Sequence, residues 1–260
     1  MDNMKTHLIC PLCKNTKHQQ WGDYAICNEC KLIFLSDKKE EKDLTKSYTG
    51  GFLKSLRRRL LSRFRRFESY GQYTNFMSKA DKVTALIKEN IEDKKKVSFL
   101  DIGCNKGFLL HSALQKGWDV HGIELVPELL IPFKNKHKNI SHKLYTGSFD
   151  DNYKKLKKNS FDVISMIDVI EHFSDPIKTI KKIRSLLKKD GVLVVQTPDS
   201  LSSMSKKLKS SWPALKKDEH LCVFNKNNYK QMMTNLNFTK TKFYKPFEEA
   251  DGNFVAISQK

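Results

Sequence analysis

The residue types and spacing best suited to chemistry are those of two acids and two glycines, Asp101, Gly103, Gly107 and Glu124. Glycines at such a point let the backbone turn tightly and bring main-chain amides against a ligand. An acid about 20 residues beyond a glycine-rich strand-to-helix turn holds ribose hydroxyls in nucleotide-binding βαβ units. The spacing therefore predicts a site for an adenosine-type cofactor, with the bare amides of 103–107 and the Glu124 carboxylate facing it.

The elements that must position these residues are also visible in the sequence. Residues 97–102 form an apolar run typical of a buried strand, Phe108–Gln115 has helical spacing, and 118–123 predicts a second strand. The dinucleotide fingerprint G-x-G-x-x-G is not matched, because Asn105 stands within the turn and no third glycine follows at the required step.

Residues 97–107, VSFLDIGCNKG, resemble motif I of class I S-adenosylmethionine (SAM)-dependent methyltransferases, usually D-x-G-x-G-x-G, with Asn105 replacing the middle glycine. The resemblance covers roughly residues 75–260. It implies an α/β fold with a Rossmann-like, mostly parallel seven-stranded sheet and helices on both faces. Further blocks that carry it are 145–151, 161–176 and 188–198, followed by 219–224 (EHLCVF) and 237–238, which are similar to the ending of small-molecule methyltransferases.

The resemblance also implies how each part of SAM would be held. Glu124 would chelate the ribose diol, Asp150 or Asp151 would accept from the adenine amino group, and Ser148 or Phe149 would border the ring. The full set of cofactor residues implied is Asp101, Gly103, Cys104, Asn105, Gly107, Glu124, Ser148, Phe149, Asp150 and Asp168. For the two acids at 150 and 151, the alternative is a solvated loop.

A second pattern consists of two C-x-x-C pairs separated by 13 residues. Four cysteines at this spacing are typical of a closed structural zinc site, which stabilises a fold without performing chemistry. The competing interpretation is disulfide bonding. The sequence has no signal peptide and no long apolar segment, so we expect a reducing cytoplasm, which disfavours disulfides. The predicted ligands are Cys10, Cys13, Cys27 and Cys30, and Cys104 and Cys222 remain as buried thiols.

The chain is strongly basic. Lys+Arg number 48 and Asp+Glu 29, which gives a formal net charge of +19 that would attract nucleic acid, membrane headgroups or phosphorylated metabolites. Most of the charge is dispersed lysine, but six of the seven arginines lie within residues 57–66. Guanidinium groups bind phosphate bidentately, so Arg57, Arg58 and Arg65 are candidates for holding a substrate phosphate. The alternatives are a shielding surface helix and peripheral contact with a membrane.

The predicted organisation has three parts. Residues 1–36 form a zinc-ribbon-like module, 37–96 a linker and helical cap, and 97–260 the SAM-dependent domain. Within the middle part, residues 52–91 are expected to be helical and to cover the crevice. The polar stretch 199–211 is expected to border the substrate pocket.

Two histidines are candidates for catalysis of an in-line displacement at the SAM methyl group. His220 is the stronger candidate for a general base. Asp168, Glu171 and His172 have the spacing of one helical face and resemble a segment of ubiquinone-pathway O-methyltransferases in which a metal orients the substrate oxygen. A Mg²⁺ ion there would suit an anionic substrate. The alternative is that Glu171 and His172 only shape the pocket.

These features predict O-methylation of a small phosphorylated or nucleotide- or sugar-linked acceptor, in surface-polysaccharide assembly or a related pathway. The main alternative is a methyltransferase of ribosomal RNA bases whose zinc module binds RNA. Against it, aromatic groups for stacking are few in the module, and the tetrapeptide of exocyclic-amine methylation is absent after the fourth strand. A third hypothesis is a zinc-ribbon binding protein whose SAM fold has decayed, against which the intact Glu124 and glycines argue.

Overall fold

The computed structural model describes residues 8–36, 70–91, 96–216, 219–247 and 252–260. Its strands are β1 His18–Trp21, β2 Tyr24–Cys27, β3 Ile33–Leu35, β4 Ser98–Ile102, β5 Asp119–Glu124, β6 Leu144–Thr146, β7 Phe161–Ile167, β8 Leu187–Pro198, β9 Cys222–Val223, β10 Lys240–Tyr244 and β11 Asn253–Gln259. Its α-helices are α1 Tyr70–Asn90, α2 Phe108–Gln115, α3 Pro127–Lys136, α4 Phe149–Tyr153, α5 Pro176–Leu186, α6 Ser203–Leu208 and α7 Lys226–Asn235. Short 3₁₀ turns lie at Lys138–Lys143, Ile170–His172 and Lys209–Ser211.

Seven strands form the larger sheet, in the order β10-β11-β8-β7-β4-β5-β6. The pairs β8–β7, β7–β4, β4–β5 and β5–β6 are parallel, and β11 runs antiparallel to both of its neighbours. The predicted fold class is therefore confirmed. The chain crosses from β4 outward to β5 on one side and later to β7 on the other, so ligands are expected at the carboxyl ends of β4 and β7.

The central strands bury apolar residues on both sides because both faces of the sheet are covered. Consecutive residues such as Phe99 and Leu100, or Val163 and Ile164, are fully buried on opposite faces. Continuous rather than alternating apolar sequence is what a parallel strand between two layers of helices requires. On one face pack α1, α2 and α3, and on the other pack α5, α7 and the N-terminal strands.

The smaller sheet has the order β1-β2-β3-β9. Its first three strands come from the N-terminal segment that carries the four cysteines, whereas β9 lies far along the chain between β8 and α7. β3 and β9 pair antiparallel, with Ile33 opposite Val223 and Phe34 opposite Cys222. The cysteine-bearing strands are thus hydrogen-bonded directly to the larger part of the molecule.

Parts of the predicted N-terminal organisation lie outside the described residues. These include most of the linker and the arginine-rich window with Arg57, Arg58 and Arg65, so the phosphate-binding role of these arginines stays a prediction. Within the expected helical cap of 52–91, the described helix is α1.

Candidate active site

A cavity of about 680 Å³ opens where β4, β5, β6 and β7 end. Residues Phe76, Lys79, Ala80 and Val83 of α1 form one of its walls. Eight of the ten cofactor residues predicted from the sequence line it: Asp101, Gly103, Cys104, Asn105, Glu124, Ser148, Phe149 and Asp168. The two others, Gly107 and Asp150, are not among its described lining residues.

The loop after β4 turns through the left-handed backbone region at three positions, Gly103 (φ 75°), Asn105 (φ 49°) and Gly107 (φ 79°). Asparagine tolerates this region better than most residues, which explains how Asn105 replaces a glycine. A Cβ added at Gly103 would lie 2.5 Å from the Val169 side chain, and one at Gly107 would lie 2.5 Å from Phe133. Both glycines are therefore required for close packing as well as for the turn.

The amides of this loop are not bare, so that prediction is wrong. The amides of residues 103 and 104 donate to the Ile123 carbonyl at 2.8 and 3.0 Å, and that of Gly107 donates to the Cys104 carbonyl at 2.9 Å. The two between them donate to side chains, Asn105 to the Glu124 carboxylate and Lys106 to the Asn105 side chain. Backbone amides are strong donors, and this tight turn supplies their acceptors from the protein itself. The loop therefore lines the cavity with amides that already have hydrogen-bond acceptors within the protein.

Glu124 joins this loop to the end of β5. Its Oε2 accepts from the Asn105 amide at 2.7 Å, and its Oε1 accepts from the Val126 amide at 2.9 Å. The residue is 7% exposed, and burial raises the pKa of its carboxyl group although these amides oppose the rise. A carboxylate oxygen has further lone pairs, so both can still accept from hydroxyl groups in the cavity.

Asp101 lies deeper, at the end of β4. The Ser165 hydroxyl donates to it at 2.6 Å. Burial raises the pKa of Asp101 to about 7, against the lowering effect of Ser165, and the nearby charge of Glu124 raises it further. Two carboxyl groups thus share the wall of the cavity, and repulsion between them favours protonation of Asp101, the deeper one.

The two acids after β6, Asp150 and Asp151, contact other protein groups. Asp150 forms an ion pair with Lys182 of α5 at 2.6 Å. Asp151 accepts from the Ser148 hydroxyl at 2.7 Å, and its own amide donates to the same hydroxyl, which caps α4. The contact of either acid with adenine stays a prediction. Of this block, Ser148 and Phe149 line the cavity.

Asp168, directly after β7, connects the cavity rim to α1. Lys79 of α1 lies 3.1 Å from its carboxylate, and Gln196 and Asn253 donate to it at 3.0 and 3.4 Å. Its backbone has a φ of 57°. Sequence reasoning predicted a helical cap but missed Lys79 and Phe76 as cavity residues. Phe76 is 54% exposed and stacks on Phe108, a contact between distant segments that the sequence does not signal.

Beside the cavity, at the turn after β7, three polar side chains form a cluster. Glu171, His172 and His220 each have one atom able to bind a metal, and these three atoms lie within 4.8 Å of one another. Glu171 is fully buried: its Oε2 accepts from the Thr197 hydroxyl at 2.9 Å, while its Oε1 has no hydrogen-bond partner among the described residues. Burial raises the pKa of Glu171 to about 8, and the charge of Asp168 adds to the rise.

The two imidazoles lie edge to face, with ring centroids 4.9 Å apart. His172 Nδ1 is 2.7 Å from the Glu219 carbonyl, and His220 Nδ1 is 2.8 Å from the Ala214 carbonyl. Carbonyl oxygens only accept, so both rings carry a proton on Nδ1. Burial lowers the pKa of His172 and lowers that of His220 to about 4. Only His172 is among the described residues that line the cavity, and His220 lies behind it.

The cluster does not match the predicted magnesium site. Asp168 is not a member, and His220 takes its place. Mg²⁺ prefers octahedral oxygen ligands, whereas this set offers one carboxylate and two imidazoles. The residues of this cluster therefore do not fit Mg²⁺.

The four cysteines of the N-terminal sheet lie together as predicted. All four sulfurs are within 4.8 Å of one another, with Cys10 to Cys30 at 3.6 Å and Cys13 to Cys27 at 3.4 Å. These separations are too long for disulfide bonds and suit thiolates that surround a tetrahedral ion. The hydrogen bond between Cys10 and Cys30 lowers the pKa of Cys10 and raises that of Cys30, so this pair favours one thiolate and one thiol. The residues fit zinc.

The polar stretch 199–211 does not border this cavity, contrary to expectation. It packs toward the smaller sheet instead. The Ser200 amide donates to the Phe224 carbonyl at 2.7 Å, and Asp199 forms an isolated bridge with Phe224. Several of its small polar residues are buried there, which a sequence pattern of serines does not reveal.

The sheet order and the cavity at its carboxyl edge define a class I SAM-dependent methyltransferase. The chain belongs to the family described by a methyltransferase-domain model, which matches residues 62–242.

Curated relatives match a shorter region. The ubiquinone biosynthesis O-methyltransferase of Actinobacillus pleuropneumoniae serotype 5b is 35% identical over 103 residues, which are 38% of this chain and 44% of that protein. The proteins of the same name from Haemophilus ducreyi and Xanthomonas campestris are 32% and 30% identical over 103 and 99 residues, covering 38% of this chain in each case and 44% and 41% of those proteins. The chain thus spans less than half the length of these relatives.

Solved structures show the same fold. A SAM-dependent methyltransferase from Archaeoglobus fulgidus superposes with a TM-score of 0.52 at 15% identity, covering 70% of this chain and 92% of that one. Phosphoethanolamine N-methyltransferase 2 of Haemonchus contortus, solved with SAM, has a TM-score of 0.55 at 15% identity, covering 88% of this chain and 61% of that one. Among the described helices, none is long and apolar enough to cross a membrane.

Proposed function

We propose that this protein transfers the methyl group of SAM to an oxygen atom of a small anionic acceptor. One observation carries the proposal. A single cavity is lined both by Glu124 with the loop after β4 and by His172, which follows β7. A cofactor side at Glu124 and a polar acceptor side at His172 therefore share one cavity, which methyl transfer requires because donor and acceptor must meet in line.

The cofactor end is suited to an adenosyl group. The two oxygens of Glu124, already fixed by main-chain amides, would accept from the two ribose hydroxyls. Ser148 and Phe149 would border the adenine ring, and Asp101 would lie beneath the amino-acid part. SAM supplies the activated methyl group, and these residues orient it toward His172. Fixed geometry of this kind lowers the entropic part of the barrier.

The cavity also combines positive charge with apolar walls. Lys79, which pairs with Asp168, and Lys106 of the loop after β4 line it, as do the rings of Phe76, Phe108 and Phe173. The two lysines and the apolar rings suit an acceptor with a negatively charged group and a compact body. Transfer to oxygen is supported by the names of the curated relatives, which are O-methyltransferases. The surface-polysaccharide pathway has no counterpart among these relatives, whose names place them in ubiquinone biosynthesis, and it stays a prediction from the sequence.

Proton removal is assigned to the histidine pair. Because burial lowers the pKa values of both imidazoles, they are neutral at pH 7 and able to accept a proton. His172 lines the cavity and would receive the hydroxyl proton of the acceptor, while His220 packs against it from behind. The four cysteines would hold a structural zinc ion, closed to substrate by its four sulfur ligands.

Two measurements test the proposal. Calorimetry with SAM should show binding, and its absence would favour a decayed fold without enzymatic function. Transfer of labelled methyl groups from SAM should then be assayed with sugar phosphates, nucleotide sugars, phenolic acids and structured RNA in parallel. We expect label in a small anionic acceptor and its loss in His172→Gln. Label in RNA, together with RNA binding that weakens steeply with salt, would replace the proposed acceptor class.

A further inference from the structure

The four-cysteine strands and the acceptor side of the cavity meet along β9. The Leu35 amide of β3 donates to the Leu221 carbonyl at 3.0 Å, and the next two residue pairs are in antiparallel register. The segment 219–224 that supplies β9 also carries His220. The hydrogen bond from β3 to Leu221 is therefore one residue away in sequence from His220.

Tyr24 of β2 contacts His220 directly. Its hydroxyl donates to the His220 carbonyl at 3.0 Å, and both residues are buried, with 3% and 7% exposure. A buried carbonyl that loses its donor is costly, so this hydrogen bond restrains the main chain at His220.

The turn that carries Cys30 makes a second contact with the rest of the molecule. The side-chain amides of Asn228 and Asn225 donate to the carbonyls of Cys30 and Lys31, at 3.2 and 3.4 Å. The same two asparagines form the capping box that begins α7, immediately after β9. The turn that carries Cys27 and Cys30 is thus hydrogen-bonded to the N-terminus of α7, which follows segment 219–224.

On its opposite side, the same segment touches the acceptor cluster. The Leu221 amide donates to the Glu171 carbonyl at 2.8 Å, and His172 Nδ1 donates to the Glu219 carbonyl at 2.7 Å. Segment 219–224 therefore lies between the cysteine-bearing sheet and the cluster, hydrogen-bonded to both.

We infer that the four-cysteine module is a positioning element of the acceptor site, in which Tyr24 is a positioning residue that holds the backbone of His220. The module needs no contact with substrate for this role. The inference rests on the proposed function in one respect, the assignment of His172 and His220 to the acceptor side of the cavity. The hydrogen bonds between the module and segment 219–224 do not depend on any reaction. It implies that metal loading of the cysteines and the geometry of the histidine pair are linked.

Tyr24→Phe tests the inference with the loss of one hydroxyl group. In ¹⁵N-histidine spectra, wild-type His220, assigned by its loss in His220→Gln, should show a single Nδ1-protonated ring. In Tyr24→Phe this signal should broaden or become averaged. Exchange of the Leu221 amide should accelerate about 5-fold, as expected for one neutral hydrogen bond. Tyr244→Phe is the matched control, because Tyr244 also donates a hydroxyl hydrogen bond, to Asn90 at the end of α1.

Removal of metal by a chelator extends the test to the module as a whole. At temperatures below the unfolding transition of the metal-free protein, we expect the His220 signature and the protection of residues 221–223 to be lost, while amides of β4 and β5 are still protected and SAM still binds. Wild-type spectra and exchange rates in Tyr24→Phe, or equal changes in Tyr244→Phe, would overturn the inference. Absence of SAM binding by the wild type would instead remove the proposed function, and the spectra would still decide whether the module positions His220.

Discussion

At the scale of single residues, Glu124 uses the same two oxygens for two sets of contacts. It accepts from the amides of Asn105 and Val126, and it is the acid proposed to bind ribose. Because the loop amides already donate within the protein, the proposed contacts with the ribose hydroxyls depend on this carboxylate. Its removal should therefore affect both the loop and the ligand.

Glu124→Ala should weaken SAM binding about 100-fold or more, since two hydrogen bonds to a charged acceptor contribute roughly 1.5–3 kcal/mol each. Calorimetric titration with SAM measures the effect. The control is Glu128→Ala, an exposed acid in the first turn of α3. Equal affinity of the two variants would show that Glu124 has no part in the cofactor site.

Glu171 carries a prediction about pH. Its pKa is raised to about 8 in the folded protein, above the 4.5 of an ordinary glutamate. The stability that the neutral group contributes is thus present below pH 4.5 and is lost as pH rises toward 8, at about 1.4 kcal/mol per pH unit. Glu171→Gln should therefore gain free energy of unfolding relative to the wild type across this window. Urea unfolding at pH 5, 6.5 and 8 measures it, and parallel curves for the two proteins would contradict it.

At the scale of elements, α1 forms a wall of the cavity and is tied to the sheet by charge as well as by packing. Ala80, Val83 and Ile87 are buried against the face that also holds α2, while Lys79 reaches Asp168 after β7. The helix is thus attached to the cavity rim across a gap of 89 residues in sequence.

Lys79→Met should loosen this attachment without disturbing the apolar face of the helix. We expect SAM affinity to fall up to about 5-fold, in line with a partly exposed ion pair, and amide exchange in the first half of α1 to accelerate. Lys82→Met, at an exposed position of the same helix, is the matched control. If SAM affinity and amide exchange are the same in the two variants, the ion pair between Lys79 and Asp168 does not stabilise the position of α1.

Local elements were predictable from the sequence because their signals are local. The strand before Asp101, the helix Phe108–Gln115 and the acid ending the next strand follow from apolar runs, glycines and spacing. The partners of the loop amides were not predictable, since Ile123 and Glu124 meet them only after β4 and β5 pair. For the same reason, the sequence favoured His220 as the general base, whereas His172 lines the cavity and His220 does not.

At the scale of the whole molecule, the cysteine-bearing strands share a core with the methyltransferase sheet. Tyr24, Leu32 and Phe34 belong to the same buried apolar cluster as Phe224 and Met232. Two units joined by a linker alone would each bury their own core. Here one face of the large sheet is completed by the small one, so the two are expected to unfold together.

Metal removal should therefore destabilise the entire chain. Structural zinc contributes several kcal/mol or more to a folded site, and 1 kcal/mol shifts Tm by about 2–4 °C in a chain of this size. Differential scanning calorimetry should show one transition for the metal-loaded protein, lowered by roughly 10 °C or more after chelation and restored when zinc is returned. If the main transition instead stays in place while a small separate one disappears, the module folds as an independent unit, and the shared core does not couple it to the sheet.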